Sequence, residues 1–332
     1  MIPKPTEGTV SIVARSPDLD AGKAEIVVTV PTFRRPEQVL ETLRSIGQQQ
    51  TKRSFAVVLI ENDAEGRQGA EAAAPLFERG ELRGLVIVAH ERGNCSAYNA
   101  GWLTAFTNFA NLKHIAVIDD DEIAEPDWLE RLCQAAEKFG ADIVGGPQVP
   151  VFPATAERGW AGHPVFAPPH DTTGPVDVLY SSGNLLLGRQ VLARMGPPYL
   201  DLRFNFMGGG DSDFLSRSRQ AGFRLAWCAE ARVSETVPAR RLERDWIRKR
   251  SLRNGVISTL VEKKKRSAAP FGNLRVAVKS VALLAASPFR GLLRLVTTGS
   301  PAIALYPVYV ALGRVLAEFG YANEQYRQPE KN

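Results

Sequence analysis

From Glu25 onward the chain alternates short apolar runs with stretches whose apolar residues return every three or four positions. Residues 26–30 (IVVTV) read as a buried strand that ends at Pro31, where the missing N–H interrupts a ladder. Val39, Leu40, Leu43 and Ile46 fall at helical spacing and predict a helix over 37–49. Residues 55–60 (FAVVLI) form a second strand, 69–79 a helix, and 85–88 a third strand. Trp102, Ala105, Phe106 and Phe109 mark the face of a helix over 97–109. Residues 115–118 make a fourth strand that runs into Asp119-Asp120-Asp121, and Trp128, Leu129, Leu132 and Ala136 mark the next helix. Strand and helix in turn predict an α/β fold with a doubly wound, mostly parallel sheet. Ligands of such sheets bind outside the carboxyl ends of the strands. Three strands here end on polar or rigid groups, at Pro31-Thr32, Glu61-Asn62-Asp63 and the acidic triplet.

After about residue 147 the rhythm changes. Prolines and glycines through 147–175 predict a long loop, followed by a strand at 178–187, a helix near 212–221 and a strand near 224–228. Residues 295–313 carry no charge, long enough to span a bilayer, but Gly299-Ser300-Pro301 and Pro307 interrupt them. A helical pair on a membrane surface, a packed helical tail and a spanning helix all remain open for 274–320. The resulting division is a polar lead-in (1–24), a main domain (25–255, with halves at about 25–146 and 147–255), and a basic and apolar helical tail (256–332).

Composition changes this picture little. With 44% apolar and 23% charged residues in 332, the chain is ordinary globular material. Cys95, Cys133 and Cys228 lie far apart with no CxxC pair, so neither a disulfide framework nor a zinc site is expected, which fits a reducing compartment. The opening residues lack a basic end followed by an apolar stretch, so no secretory signal is expected. Charge is more informative. Residues 232–266 hold twelve Lys/Arg against four Asp/Glu, inside a net charge of +5. Such a block meets phosphates, on a small ligand or on lipid headgroups. Nucleic acid is not expected, because no basic–aromatic interleaving or nucleic-acid motif is present.

Three adjacent carboxylates repel one another unless cations or donors compensate. After a strand, Asp119 and Asp121 can point to one side. Two carboxylates and two phosphate oxygens suit Mg²⁺ or Mn²⁺. The plain alternative is an exposed turn before a helix whose first turn favours Asp127. Gly208-Gly209-Gly210 lets backbone approach a ligand closely. In RDWIRKRSLRNG (244–255), Arg250 and Arg253 lie three apart, suited to a diphosphate or to a solvated basic face. Trp160 can stack on a sugar or anchor its loop. His90, His114, His163 and His170 form no metal-spaced pair.

The ordered set of segments resembles family 2 glycosyltransferases of GT-A fold. HIAVIDDDEIAEPDWLERL resembles their DxD region, VTVPTFRRPEQVLETLRSI their first strand and helix, and VLIENDAE their second strand. ERGNCSAYNAG, SSGNLLLGR and FMGGGDSDF resemble further family segments, and the likeness covers roughly 25–255. In style it is similar to the bacterial polysaccharide-assembly subgroup, which includes succinoglycan-type glucosyltransferases.

The resemblance implies roles. Pro31, Thr32 and Arg34 line a nucleotide pocket, and Glu61 and Asp63 address uracil or ribose. Asn94 and Asn99 hold the nucleotide, unless they only cap a helix. Asp119 contacts ribose or metal and Asp121 ligates metal, while Asp120 fits either of two registers on the donor side. Tyr98 stands where many members have Arg. Asp211 matches the general base, unless it or Ser212 only caps the following helix, with Asp213 orienting its neighbours. Glu235 takes the place of the usual His as third metal ligand, unless it only pairs with Arg240 or Arg241. Ser182, Gly183, Asn184, Gly209 and Gly210 border the acceptor. The Gln-x-x-Arg-Trp motif of processive synthases is missing, which implies single additions.

The function implied is inverting, Mg²⁺- or Mn²⁺-dependent transfer of a hexose from a UDP-sugar to a saccharide or lipid-linked saccharide. The setting implied is cytoplasmic, at the inner face of the cell membrane, with peripheral contact through the C-terminal region. A sugar nucleotidyltransferase is a rival, but VPTFRRP lacks the glycines of its phosphate loop. A non-catalytic nucleotide-sugar-binding scaffold is the other.

Overall fold

Val-, Ile- and Leu-rich runs become strands and the three-to-four-residue periods become helices in a computed structural model that describes residues 9–154, 156, 159–321 and 327. In chain order these are β1 (Val10–Arg15), β2 (Ile26–Thr32), α1 (Pro36–Gly47), β3 (Phe55–Glu61), α2 (Gln68–Glu78), β4 (Gly84–Ala89), α3 (Asn94–Asn108) and β5 (His114–Ile118). Then follow β6 (Glu122–Ala124), α4 (Trp128–Phe139), β7 (Ile143–Gly145), β8 (Gln148–Val151), β9 (Gly174–Val176), β10 (Asn184–Gly188), α5 (Arg189–Met195) and α6 (Gly210–Gln220). The last are β11 (Leu225–Trp227), β12 (Val233–Thr236), α7 (Arg244–Lys265), α8 (Gly272–Thr298) and α9 (Pro301–Glu318). The chain divides into two units. One comprises residues up to 148 with 170–206 and 210–235; the other comprises 149–169, 207–209 and everything from 236.

The first unit is built on one nine-stranded sheet in the order β1-β4-β3-β2-β5-β10-β7-β11-β9. The ladders β4-β3-β2-β5 are parallel, as helical crossovers require. β10 enters antiparallel between β5 and β7, and β1 and β9 run antiparallel at the two edges. Val39, Leu43 and Ile46 of α1 and Trp128, Leu129 and Leu132 of α4 are fully buried with Val28, Val57 and Ala116 of the strands. Each such large aliphatic side chain contributes about 1.5–3 kcal/mol through burial. Gly140 closes α4 with a left-handed φ of 55°.

The structure moves some boundaries. β2 does not stop before Pro31 but continues to Thr32, paired with β3. The ladder to β5 ends at Thr29, so the side that Pro31 leaves without an N–H has no partner to lose. The lead-in contains β1, which adds an edge to β4 although Ile12 remains exposed. The strand expected at 178–187 shortens to β10, because Ser181-Ser182-Gly183 form a bend before it. The loop expected over 147–175 contains β8 and β9.

In the second unit α7 packs on α9 through glycines. A Cβ on Gly255 would lie 2.1 Å from Val310 O, and one on Gly313 would lie 2.0 Å from Leu252 O. Buried Arg314 donates to Ser258 Oγ and, at 2.9 Å, to Glu262 Oε2, which Lys279 also contacts. The uncharged run 295–313 is not one helix. Gly299 ends α8 with φ 65°, and Ser300 Oγ caps α9 by accepting from Ile303 N at 3.4 Å. The one described helix long and apolar enough to cross a membrane is α8.

Candidate active site

β5 ends at Ile118, in the middle of the sheet, and delivers Asp119–Asp121 to its carboxyl edge between β2 and β10. Asp120 is turned back into the fold. Its carboxylate accepts from Thr32 Oγ1 at 2.8 Å and from Arg35 Nη1 at 2.9 Å. The same Arg35 nitrogen donates to Asp121 Oδ2 at 2.7 Å. Burial pushes the Asp120 carboxyl up to about 6, against the pull of Arg35. Arg35, poised before Pro36 at the start of α1, was not singled out from the sequence. It is the cation that makes the triplet tolerable.

Asp119 faces the other way. Tyr98 of α3 donates its hydroxyl to Asp119 Oδ1, and Asp119 N donates to Glu122 Oε2 at 3.0 Å. Glu122 is fully buried and accepts from Gln148 Nε2. The β6–β12 register sets Glu235 opposite Glu122, close enough for its charge to act on Asp119. Burial, then the Asp121 charge, push the Asp119 carboxyl up to about 7. Burial and the Asp119 charge push Glu122 well above the usual range, and burial does the same to Tyr98. Asp119, Asp121, Glu122 and Glu235 thus gather on one side, where the charges of Asp121 and Glu235 act on both Asp119 and Glu122. Among the described residues, no three His, Cys, Asp or Glu side chains already stand in coordinating geometry. The donor chemistry nevertheless fits a hard divalent cation: oxygen ligands only, with mutual repulsion that such a charge would relieve.

β10 brings the next group. Its register, Asn184 opposite Ile118, sets Gly183 against the triplet. A Cβ on Gly183 would lie 2.9 Å from Asp119 Oδ2, 2.7 Å from Glu122 Oε1 and 2.4 Å from Gln148 Nε2. Buried Ser182 adjoins Tyr98. Asn184 is occupied structurally: it accepts from Trp128 Nε1 at 2.8 Å and donates to Pro147 O and Ala231 O.

On the β3 side, Arg34 holds a left-handed φ of 56° and donates to Asp63 Oδ2 at 2.6 Å. Burial raises Asp63, but the Arg34 bond and charge together with the Gly66 and Glu65 backbone N–H groups outweigh it and leave the carboxyl below its ordinary range. Glu61 is fully enclosed. Its oxygens accept from Asp63 N, Gly69 N and Ala70 N, so it holds the start of α2. Asn62, named in the sequence only as part of a polar strand end, joins Ala89 O, Glu91 O and Gly93 N. Asn94 is exposed at the start of α3. Asn99 neither caps that helix nor points outward; its amide pairs with both Leu200 N and Leu200 O at 2.8 Å.

Asp211 lies in the first turn of α6, accepts from Ser212 N at 2.7 Å and adjoins Cys95. Asp213 is buried in an ion pair with Arg217 at 2.8 Å. Gly210 lies so close to Cys95 that a Cβ would meet Sγ at 2.5 Å.

In the second unit, Gly209 faces Ile257 with φ 95°. Arg253 is buried and Arg250 half-buried on α7. Trp160 packs against His163 and Phe166 at centroid distances of 5.9 and 6.2 Å, which gives its loop an anchor. Burial lowers His163 to about 4.

A mixed sheet with carboxylates crowded at the end of its central strand is the GT-A type of glycosyltransferase fold, and solved structures share it. The mannosyltransferase PcManGT from Pyrobaculum calidifontis, in complex with GDP-Man and Mn²⁺, matches over 90% of each chain with a TM-score of 0.56 and 16% identity. S. aureus TarS 1–349 in complex with UDP matches over 90% of this chain and 91% of its own, with a TM-score of 0.51 and 13% identity. In sequence, the succinoglycan biosynthesis protein ExoM of Rhizobium meliloti (strain 1021) is 32% identical over 240 residues, 69% of this chain and 72% of that protein. The family model described as glycosyl transferase family 2 matches residues 27–195, and the chain belongs to that family. It is therefore a glycosyltransferase, which sets aside the nucleotidyltransferase and scaffold alternatives.

Proposed function

We propose that the protein transfers a hexose, with inversion, from a UDP-sugar to a hydroxyl of a saccharide or lipid-linked saccharide during polysaccharide assembly. The observation that carries this reading is the carboxylate cluster at the end of β5, where burial and the Asp121 charge push Asp119 up, in a family 2 glycosyltransferase. The likeness to ExoM supports the polysaccharide setting, and the nucleotide-bound relatives of the same fold support a nucleotide-sugar donor. Asp121, Asp119 and Glu235 hold Mg²⁺ or Mn²⁺ in this reading. Bound there, the ion supplies positive charge to the donor diphosphate.

The chain's own residues do the rest. Arg35 keeps Asp120 and Asp121 apart from one another's charge, Tyr98 fixes the Asp119 rotamer, and Asp63 with Arg34 faces the nucleoside. Asp211 takes the proton of the acceptor hydroxyl as the sugar carbon is attacked from the side opposite the diphosphate. The protein works in the cytoplasm at the inner face of the membrane, in peripheral contact through its C-terminal region.

The test is thermal unfolding with a panel of nucleotides. UDP should raise Tm only when Mg²⁺ or Mn²⁺ is present, and Asp121→Ala should abolish the rise. Equal protection in EDTA would overturn metal-dependent donor binding.

A further inference from the structure

α8 is built inside out. The residues it turns into the second unit are small: Gly272, Ser280, Ser287 and Gly291 are buried with Val276. Gly291 comes so near α9 that a Cβ would lie 2.7 Å from Ala304 O. The large apolar residues face the other way. Phe271, Leu274, Val278, Val281, Phe289, Leu292 and Val296 are all exposed, Phe289 and Val296 to 77% each. On a helix of about 3.6 residues per turn these positions make one continuous stripe opposite the buried small residues. A helix folded only against its own protein puts its large residues inward. Small inward and large outward is the distribution used where lipid covers the outer face.

Charge narrows the occupant. From Gly272 to Thr298 the helix carries Arg275, Lys279, Arg290 and Arg294 and no acidic residue, and the run Lys263–Arg266 precedes it. Arg275, Lys279 and Arg290 fall along one flank of the stripe, and all three are exposed. A second copy docked on this face would bring the same cations against themselves. An anionic bilayer complements them and takes up the stripe at the same time.

We propose that the outward face of α8 is a lipid-docking surface that lies in the plane of the membrane, its apolar stripe in the acyl boundary and its cationic flank on anionic headgroups. This deepens the peripheral-contact reading above and rests on it. The inward face is committed to α9 within the fold, with glycine against backbone. The helix therefore docks along its length instead of crossing.

The full chain is to be sedimented with vesicles of phosphatidylcholine alone and of phosphatidylcholine with phosphatidylglycerol. Wild type should pellet with the anionic vesicles at least about tenfold more than with the neutral ones, each nearby cation adding about a fivefold factor. High salt should reduce that preference, and alkaline carbonate should release the protein. Phe289→Glu/Val296→Glu should lose at least about tenfold in binding with an unchanged circular dichroism spectrum. Arg275→Glu/Arg290→Glu should lose the anionic preference specifically. If the stripe variant pellets like wild type, the face is wrong while membrane contact survives. If wild type stays in the supernatant with both vesicles, peripheral contact itself falls. Retention after carbonate would mean a spanning helix, and a wild-type dimer made monomeric by the stripe variant would mean a second copy; either overturns the proposal.

Discussion

Single residues carry most of the chemistry at the carboxyl edge of the sheet, and their neighbours decide which state each is in. Arg35 lies within 2.9 Å of Asp120 and 2.7 Å of Asp121, so those two carboxylates share one compensating cation. Asp119 instead accepts the hydroxyl of Tyr98, and among the described residues no cation lies at that range. Asp211 differs again: it lies in the first turn of a helix and accepts a backbone N–H from Ser212. In the proposed reading it is the general base. Asp211→Asn keeps the size and the hydrogen bond but removes the proton acceptor. Turnover should fall by about a hundredfold or more, while metal-dependent protection by UDP stays at the wild-type level. Turnover within a factor of a few of wild type would remove Asp211 from the reaction.

At the scale of elements, the site depends on register. β10 pairs antiparallel with β5 and stops opposite Ile118, so the residue before Asn184 must lie beside Asp119. A Cβ there would force a neighbour to shift, since it would come within 2.9 Å of three polar side-chain atoms. Gly183→Ala should destabilise the protein by about 1–3 kcal/mol, as overpacking does, and weaken UDP protection. Gly174→Ala, at an edge strand with nothing within 4 Å of the added carbon, should stay within about 0.5 kcal/mol of wild type. Denaturant titrations of the two variants separate these outcomes, and equal midpoints would contradict the packing argument. The same contrast shows what the sequence made legible. Apolar periods located α1, α3 and α4 and the parallel strands, with ends displaced by up to three residues, because those elements bury one regular face. The triplet was legible because three adjacent acids at a strand end are costly unless used. Antiparallel β10 and edge strand β1 were harder, since a partner's direction leaves no local pattern. Glu61 and Asn99 were read as ligand contacts, whereas the structure engages them with backbone. Side-chain type alone does not distinguish a carboxylate that binds a helix N-terminus from one that binds a ribose.

For the whole molecule, the crowded carboxylates link folding and protonation and, in the proposed reading, metal. The Asp119 carboxyl is pushed up to about 7 and that of Asp120 to about 6, against about 3.9 in an unfolded chain. A raised folded-state pKa means that the native state binds more protons than the unfolded state between those values. The resulting stability is fully present below about pH 4 and is lost as pH rises from there through about 7. In EDTA, wild type should therefore lose Tm relative to Asp119→Asn over that window, because the amide carries no titration. A divalent cation reverses the sign. It requires the carboxylates ionised, so its binding must expel whatever proton Asp119 still holds. Mg²⁺ or Mn²⁺ should then raise Tm more at pH 8 than at pH 6, with affinity falling by up to about tenfold per pH unit below 7 for one displaced proton. Calorimetric titrations in two buffers of different ionisation enthalpy would count that proton. A metal affinity that is flat from pH 6 to 8, with no proton released, would mean that Asp119 does not share in the cation site and that Asp121 and Glu235 hold it without it.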